Sequence, residues 1–257
     1  LYWVEFTWFL PMLAGLFCSL KIDSRRCRVI SYVGGLAAVT VKSLCGYEYI
    51  SSVMMGLIAF LLADFAAAVV SKDKEKARLM FRTVFIMGAA ALLGFAAALL
   101  IHGGLRGDGD ISKGIKDIIE KDVLRRTYGA SLSAFDVRYW DSLNASLWEV
   151  LCRYFHFSTQ IITGIEGNLF PLMCLVPLVI CWHDCREGAC DTESIALYAV
   201  FLITAVSWFV LAKSHSYIHT HMNYVLWYFG FVQICFYIIC ERIVRIFFDC
   251  RSEKDRG

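Results

Sequence analysis

The chain has 257 residues, 58% of them hydrophobic, and 25 Lys+Arg against 23 Asp+Glu for a formal net charge of +2. A soluble domain carries roughly 45–50% apolar residues, and the mean hydropathy here is +0.58. The excess lies in blocks of membrane-span length, which excludes an ordinary soluble domain. The basic residues sit in short segments between those blocks and form no single patch, so nothing points to a nucleic-acid partner.

Taken in order, the chain predicts an all-α, polytopic bundle of about seven spans: 1–20, 29–47, 50–70, 83–101, 169–182, 195–212 and 224–240. The first apolar run starts at once at Leu1, which reads as the rear part of a longer protein, with a cleaved signal peptide as the alternative. Residues 1–101 then hold spans one to four, 102–168 a long polar loop, 169–240 spans five to seven, and 241–257 a basic tail.

Orientation follows from Lys and Arg in the short loops. Lys21, Arg25, Arg26 and Arg28 fill the first, Lys72, Lys74, Lys76, Arg78 and Arg82 the third, and Arg242, Arg245, Arg251, Lys254 and Arg256 the tail. These segments are expected to be cytoplasmic in a multi-pass cell-membrane protein, with the N-terminus of the chain outside and the C-terminus inside. The loop 183–194 votes weakly, with Arg186 alone. Of eleven cysteines, only Cys45 and Cys152 then fall outside, so the thiols are expected to be reduced. Cys181-Trp182-His183-Asp184-Cys185 with Cys190 lacks the C-x2-C pairs of zinc ribbons and reads as a thiol-bearing loop.

Gly46-Tyr47-Glu48-Tyr49 makes the outer tip of the hairpin between spans two and three. Glu48 reads either as a headgroup-level carboxylate or as a site carboxylate facing a cavity. Asp64 is expected to snorkel to the interface or cap near Lys72 and Lys74, with a bundle-facing polar contact as the alternative. Gly103, Gly104, Gly107 and Gly109 open the long loop as a flexible exit. A helix is predicted from about Asp110, with Ile111, Ile115, Ile118, Ile119 and Val123 on one face and Arg125 and Arg126 at its end. A second amphipathic helix is predicted over 142–157, with Leu143, Leu147, Val150, Leu151, Tyr154 and Phe155 inward and Trp148 at the rim. Asn144-Ala145-Ser146 matches a glycosylation triplet. The fifth span is short, carries Pro171 and Pro177 and follows Gly164 and Gly167; an earlier start near Ile161 would bury Glu166 behind a broken or re-entrant entry.

The pivot is Lys213-Ser214-His215-Ser216-Tyr217-Ile218-His219-Thr220-His221-Met222-Asn223-Tyr224, three of six histidines pinned between two apolar runs. Such a segment must face water or line a cavity. His215 and His219 share a face in a helix; His219 and His221 share one in a strand. Either pair could present imidazoles to a divalent metal, with Glu48 or Glu166 as a further ligand. The competing readings are a donor-rich patch of Lys213, His215 and nearby hydroxyls for a lipid phosphate, and a plain polar turn with interfacial aromatics. No P-loop, G-x-S-x-G, H-E-x-x-H or Rossmann fingerprint occurs.

The layout of an outer Gly46-Tyr47-Glu48-Tyr49 hairpin, a long external loop with two surface helices, and an outer-face Lys213-x-His215 resembles the rear half of a GT-C superfamily integral-membrane glycosyltransferase. The resemblance implies transfer of a sugar from a polyprenyl-phosphate donor to a cell-envelope acceptor at the outer face. It implies partners in membrane lipid and the polyprenyl-phosphate-linked sugar. Lys213, His215, Tyr217, His219 and His221 would hold the lipid phosphate, with Glu48, Arg125 and Arg126 beside it. The family's catalytic acids would lie upstream of Leu1, so no catalytic base is named. A transporter or a non-enzymatic envelope-assembly protein is the alternative.

Overall fold

The computed structural model describes residues 2–127, 136–137, 140–156 and 169–254. Among them the chain is all-helical, with no strand. In order, the helices are α1 (Tyr2–Leu20), α2 (Arg25–Cys45), α3 (Ile50–Val70), α4 (Lys74–Arg106), α5 (Ile111–Ile118), a π turn Ile119–Val123, and α6 (Leu124–Arg126). Then follow α7 (Trp140–Asn144), α8 (Leu147–His156), α9 (Leu169–Arg186), α10 (Thr192–Leu211), α11 (Lys213–Ile218), α12 (Thr220–Asn223), a 3-10 turn Tyr224–Tyr228, and α13 (Phe231–Lys254). Five segments among the described residues are long and apolar enough to cross a membrane: α2, α3, α4, α10 and Thr220–Phe247. Phe6–Leu20 is a shorter apolar helix.

Local chemistry sets several starts. The side chains of Ser24, Asp73, Asp110 and Asp191 accept from backbone N–H groups in the first turns of α2, α4, α5 and α10, which satisfies donors that a helix leaves orphaned. The bundle forms because the helices are apolar all round and can bury one stripe against each other while showing the rest to lipid. Leu57, Leu61, Met80, Met87, Phe201 and Phe209 are fully buried, whereas Phe81, Phe85, Leu92 and Leu93 are exposed.

Side-chain contacts fix the helix directions. Trp8 meets Tyr49 and Ser19 meets Asp64, so α1 and α3 run parallel. Thr40 bonds the Gly94 carbonyl and Tyr47 bonds His102, so α2 and α4 also run parallel. Phe60 lies against Phe201 while Ser207 bonds Ser51, so α10 runs against α3. One end of the bundle therefore gathers the 46–49 turn, α5–α6, α7–α8 and α11. The other gathers the turns after α1, α3 and α9 with the lower part of α13, where Arg242 pairs with Asp184 at 3.1 Å and Arg245 with Asp191 at 3.5 Å. The basic loops of the sequence thus share one end.

Four expectations change. First, Asp64 does not snorkel; it accepts a hydrogen bond from Ser19 on α1, facing the bundle. Second, Gly103 and Gly104 lie within α4, which continues to Arg106, and they are no loose exit. Gly114 lets α5 fold back on them: a Cβ there would collide with the Gly103 carbonyl, so only glycine allows this approach. Third, the second loop helix is split at Ala145–Ser146, where Ser146 caps α8 by accepting from Glu149 N–H at 3.1 Å. Fourth, Cys185 and Cys190 are joined as a disulfide in the α9–α10 turn, five residues apart with Cα atoms 4.0 Å apart. These two thiols are not reduced, and no disulfide joins Cys45 to Cys152.

The broken or re-entrant entry expected before the fifth span, with Glu166, falls on residues 157–168, which lie outside the described residues; from Leu169 on, α9 is continuous through Pro177. The last span carries an interruption of its own. Gly230 has φ +97° and a Cβ there would run into the Phe201 ring, halfway along α10. Gln233 closes the gap: its Nε2 donates to the Tyr228 carbonyl at 2.8 Å and its Oε1 accepts from Gly230 N–H at 3.1 Å. Irregular backbone at that depth is tolerated because protein surrounds it.

Candidate functional site

The pivot folds as helix. His219 N–H donates to the His215 carbonyl at 3.0 Å, and the two rings stand 4.7 Å apart between centroids. His221 is exposed, its ring 6.3 Å from that of His219. Among the described residues no three or more His, Cys, Asp and Glu side chains converge as a metal site.

Two of the expected phosphate ligands turn elsewhere. Lys213 is 5% exposed, and its Nζ donates to the carbonyls of Leu143 and Ala145, both at 2.7 Å. It thereby caps the α7–α8 junction, and burial lowers its pKa. The Tyr217 ring lies under the Arg153 guanidinium, 3.6 Å from the centroid, a cation–π contact that ties α11 to α8. Tyr154 adds a hydrogen bond to the Ser216 carbonyl at 2.8 Å.

The others come together. Arg126 reaches Glu48 at 3.1 Å and Asp122 at 3.8 Å. Asp122 also holds Arg106 at 2.6 Å, and Tyr47 Oη and His102 Nδ1 are hydrogen-bonded at 2.7 Å. Arg125 and Arg126 sit close enough to act on His215. Burial, then the neighbouring His219, then Arg126 push the His215 pKa down to about 4, against the opposing pull of Glu48. His219 is lowered too, by burial and then by His221. Near neutral pH the two imidazoles are uncharged, and the positive charge of the cluster belongs to the arginines.

Sequence reasoning missed Tyr49 and Trp208. Tyr49 is 5% exposed and takes φ +60°, a left-handed conformation that a tyrosine rarely adopts outside functional or strongly constrained sites. Its ring centroid is 5.5 Å from that of Trp208, which is 5.9 Å from that of His215. Trp208 is 3% exposed, and its indole N–H has no acceptor among the described residues; Arg126 Nε is likewise buried without one among them. A buried unsatisfied donor costs about 1–3 kcal/mol. Two such donors stand beside one neutral imidazole, while Asp122 Oδ2 in the same cluster, though paired with Arg106, is a buried oxygen without a hydrogen-bond donor among the described residues. The only signal in the sequence was a Trp one turn before the end of an apolar run, which reads equally well as an interfacial anchor.

Next to this end an apolar groove of ≈ 740 Å³ opens between α3, α8 and α10. Met55, Leu151, Phe155, Ile203 and Val206 form its walls, and Ser207 lies on its rim. Ser207 bonds Ser51 at 3.2 Å and lies next to Trp208 in the chain.

The chain was compared with known proteins. No family model, no curated protein and no solved structure matches it.

Proposed function

We propose that this chain is part of a membrane glycosyltransferase that moves a sugar from a polyprenyl-phosphate donor to a cell-envelope acceptor on the outer face. The observation that carries the reading is the pair of buried donors, Trp208 Nε1 and Arg126 Nε, that meet no acceptor among the described residues, beside neutral His215. A ligand that suits them brings oxygen acceptors and negative charge. The neighbouring groove suits a long apolar tail. A phosphorylated isoprenoid combines both. On this reading Arg126 and Arg125 offset the charge that develops on the phosphate as the glycosyl bond breaks, while His215 and His219 donate or accept hydrogen bonds. Glu48 aligns Arg126. No residue of this chain is assigned as catalytic base.

The same reading takes α1 and α9 as further spans, giving seven, with the Arg126 end outside and the basic end in the cytoplasm.

The test uses the intact protein in detergent. Farnesyl phosphate should bind and quench tryptophan emission, farnesol should bind at least tenfold more weakly, and a polyprenyl-phosphate sugar should support transfer to envelope glycans. Equal binding of farnesol and farnesyl phosphate would remove the phosphate site, and absence of donor-dependent transfer would remove the enzyme.

A second reading has its own observation. The last span is broken at Gly230, and interrupted helices line substrate paths in transporters. Solute uptake into proteoliposomes without sugar transfer would favour that reading.

A further inference from the structure

We infer that the cleft between the N-terminal parts of α2 and α4, at the end opposite the histidine cluster, binds the phosphate head group of an anionic membrane lipid. The cleft has a volume of ≈ 500 Å³ and is lined by Arg25, Arg28 and Arg82, with Val29, Leu79 and Ile86 among its apolar walls. None of the three arginines makes an ion pair with a carboxylate among the described residues. Arg28 spends one nitrogen on the Ile22 carbonyl, which fixes its side chain over the cleft and leaves its remaining donors unspent.

Carboxylates are close by but sorted away. Asp23, Asp73 and Glu75 line a neighbouring cleft with Lys76, and Leu79 stands between the two. Asp73 is further engaged as the cap of α4, accepting from Lys76 N–H at 3.0 Å. One cleft is thus left with three guanidinium groups and the positive end of the α2 dipole. Guanidinium binds phosphate oxygens through paired N–H donors.

The apolar side of the cleft decides the occupant. Val29 in the cleft wall is 51% exposed, and Phe81 and Phe85, outside the lining on the same turns of α4, are 59% and 70% exposed. A free phosphate has nothing to set against these surfaces, whereas the acyl chains of a lipid cover them. Both helices carrying the cleft are long and apolar enough to cross a membrane, so the cleft lies at headgroup height. Juxtamembrane basic groups attract anionic lipid by about fivefold each. The inference does not depend on the sugar-transfer reading, which concerns the other end.

The experiment is lipid retention by the full-length chain in native mass spectrometry. Wild type should keep phosphatidylglycerol in preference to phosphatidylcholine. Arg25→Gln with Arg82→Gln should lower phosphatidylglycerol retention about 25-fold and leave phosphatidylcholine unchanged, while Arg25→Lys with Arg82→Lys should retain part of the preference. Equal retention of the two lipids by wild type would overturn the inference. So would an unchanged preference in the Gln variant, or equally tight binding of inorganic phosphate.

Discussion

The Arg126 guanidinium lies 3.1 Å from the Glu48 carboxylate and joins the end of the α5–α6 return to the turn between α2 and α3. Two segments 78 positions apart in sequence meet there, and the meeting is what aims Arg126 at the histidines. The side chains are 19% and 41% exposed, so water screens the pair. A double-mutant cycle with Glu48→Gln and Arg126→Gln, read by thermal unfolding in detergent, should give a coupling of about 0.5–1 kcal/mol. Farnesyl phosphate binding should fall much further in Arg126→Gln than in Glu48→Gln, since only the first removes a proposed ligand group. Equal losses would show that Arg126 acts only through the pair.

Lys213→Met keeps the aliphatic stem and deletes the ammonium. The Leu143 and Ala145 carbonyls, both in buried residues, then lose the donor they share. The expected cost is about 3 kcal/mol. It should appear as roughly 100-fold faster hydrogen exchange of the α7 and α8 amides, with the α3–α10 amides unaffected. Unchanged exchange in α7 and α8 would show that Lys213 does not hold that junction.

Acid should loosen the same end. His215 has its pKa lowered from 6.5 to about 4, so between those values the unfolded chain takes up a proton that the folded chain refuses. The stabilisation is full above about pH 6.5 and is lost as pH falls toward about 4, at most about 3 kcal/mol. His219, Arg125 and Arg126 all disfavour the protonated ring, and Glu48 alone favours it. His215→Gln should therefore flatten the fall in thermal midpoint between pH 6.5 and 4.5. An acid limb as steep in the variant as in wild type would mean that another group titrates.

The break in the last span makes a fourth case. Gly230→Ala forces a side chain into φ +97° and against the Phe201 ring. A loss of about 2 kcal/mol or more is expected. Gln233→Leu should also destabilise, by about 2 kcal/mol, because it strips the Tyr228 carbonyl and the Gly230 N–H of their partner. Full stability in both variants would mean that the break is not held by these contacts.

Apolar run length and loop charge were enough to read the helices and the sorting of polar segments to two ends. Hydropathy depends on composition, and composition is what the sequence displays directly. Glu48, Arg125, Arg126, His215 and His219 could be grouped in advance because each sits at a helix end, and helix ends are few. What Lys213 bonds could not be read, since its partners are backbone carbonyls 68 and 70 positions away, and carbonyls leave no mark in a sequence. Asp64 was misjudged because its partner is a serine on another helix rather than a charge nearby in the chain. The break at Gly230 hid in an uninterrupted apolar run, where a lone glycine is common. Trp208 was invisible because an unmet hydrogen bond is a property of burial, not of residue type.

An ammonium seated between two carbonyls has one further consequence. It makes α7 and α8 a bolted roof over the end of α10 rather than a swinging door. On the proposed lipid-donor reading, the ligand would reach that end from the side, through the groove between α3, α8 and α10.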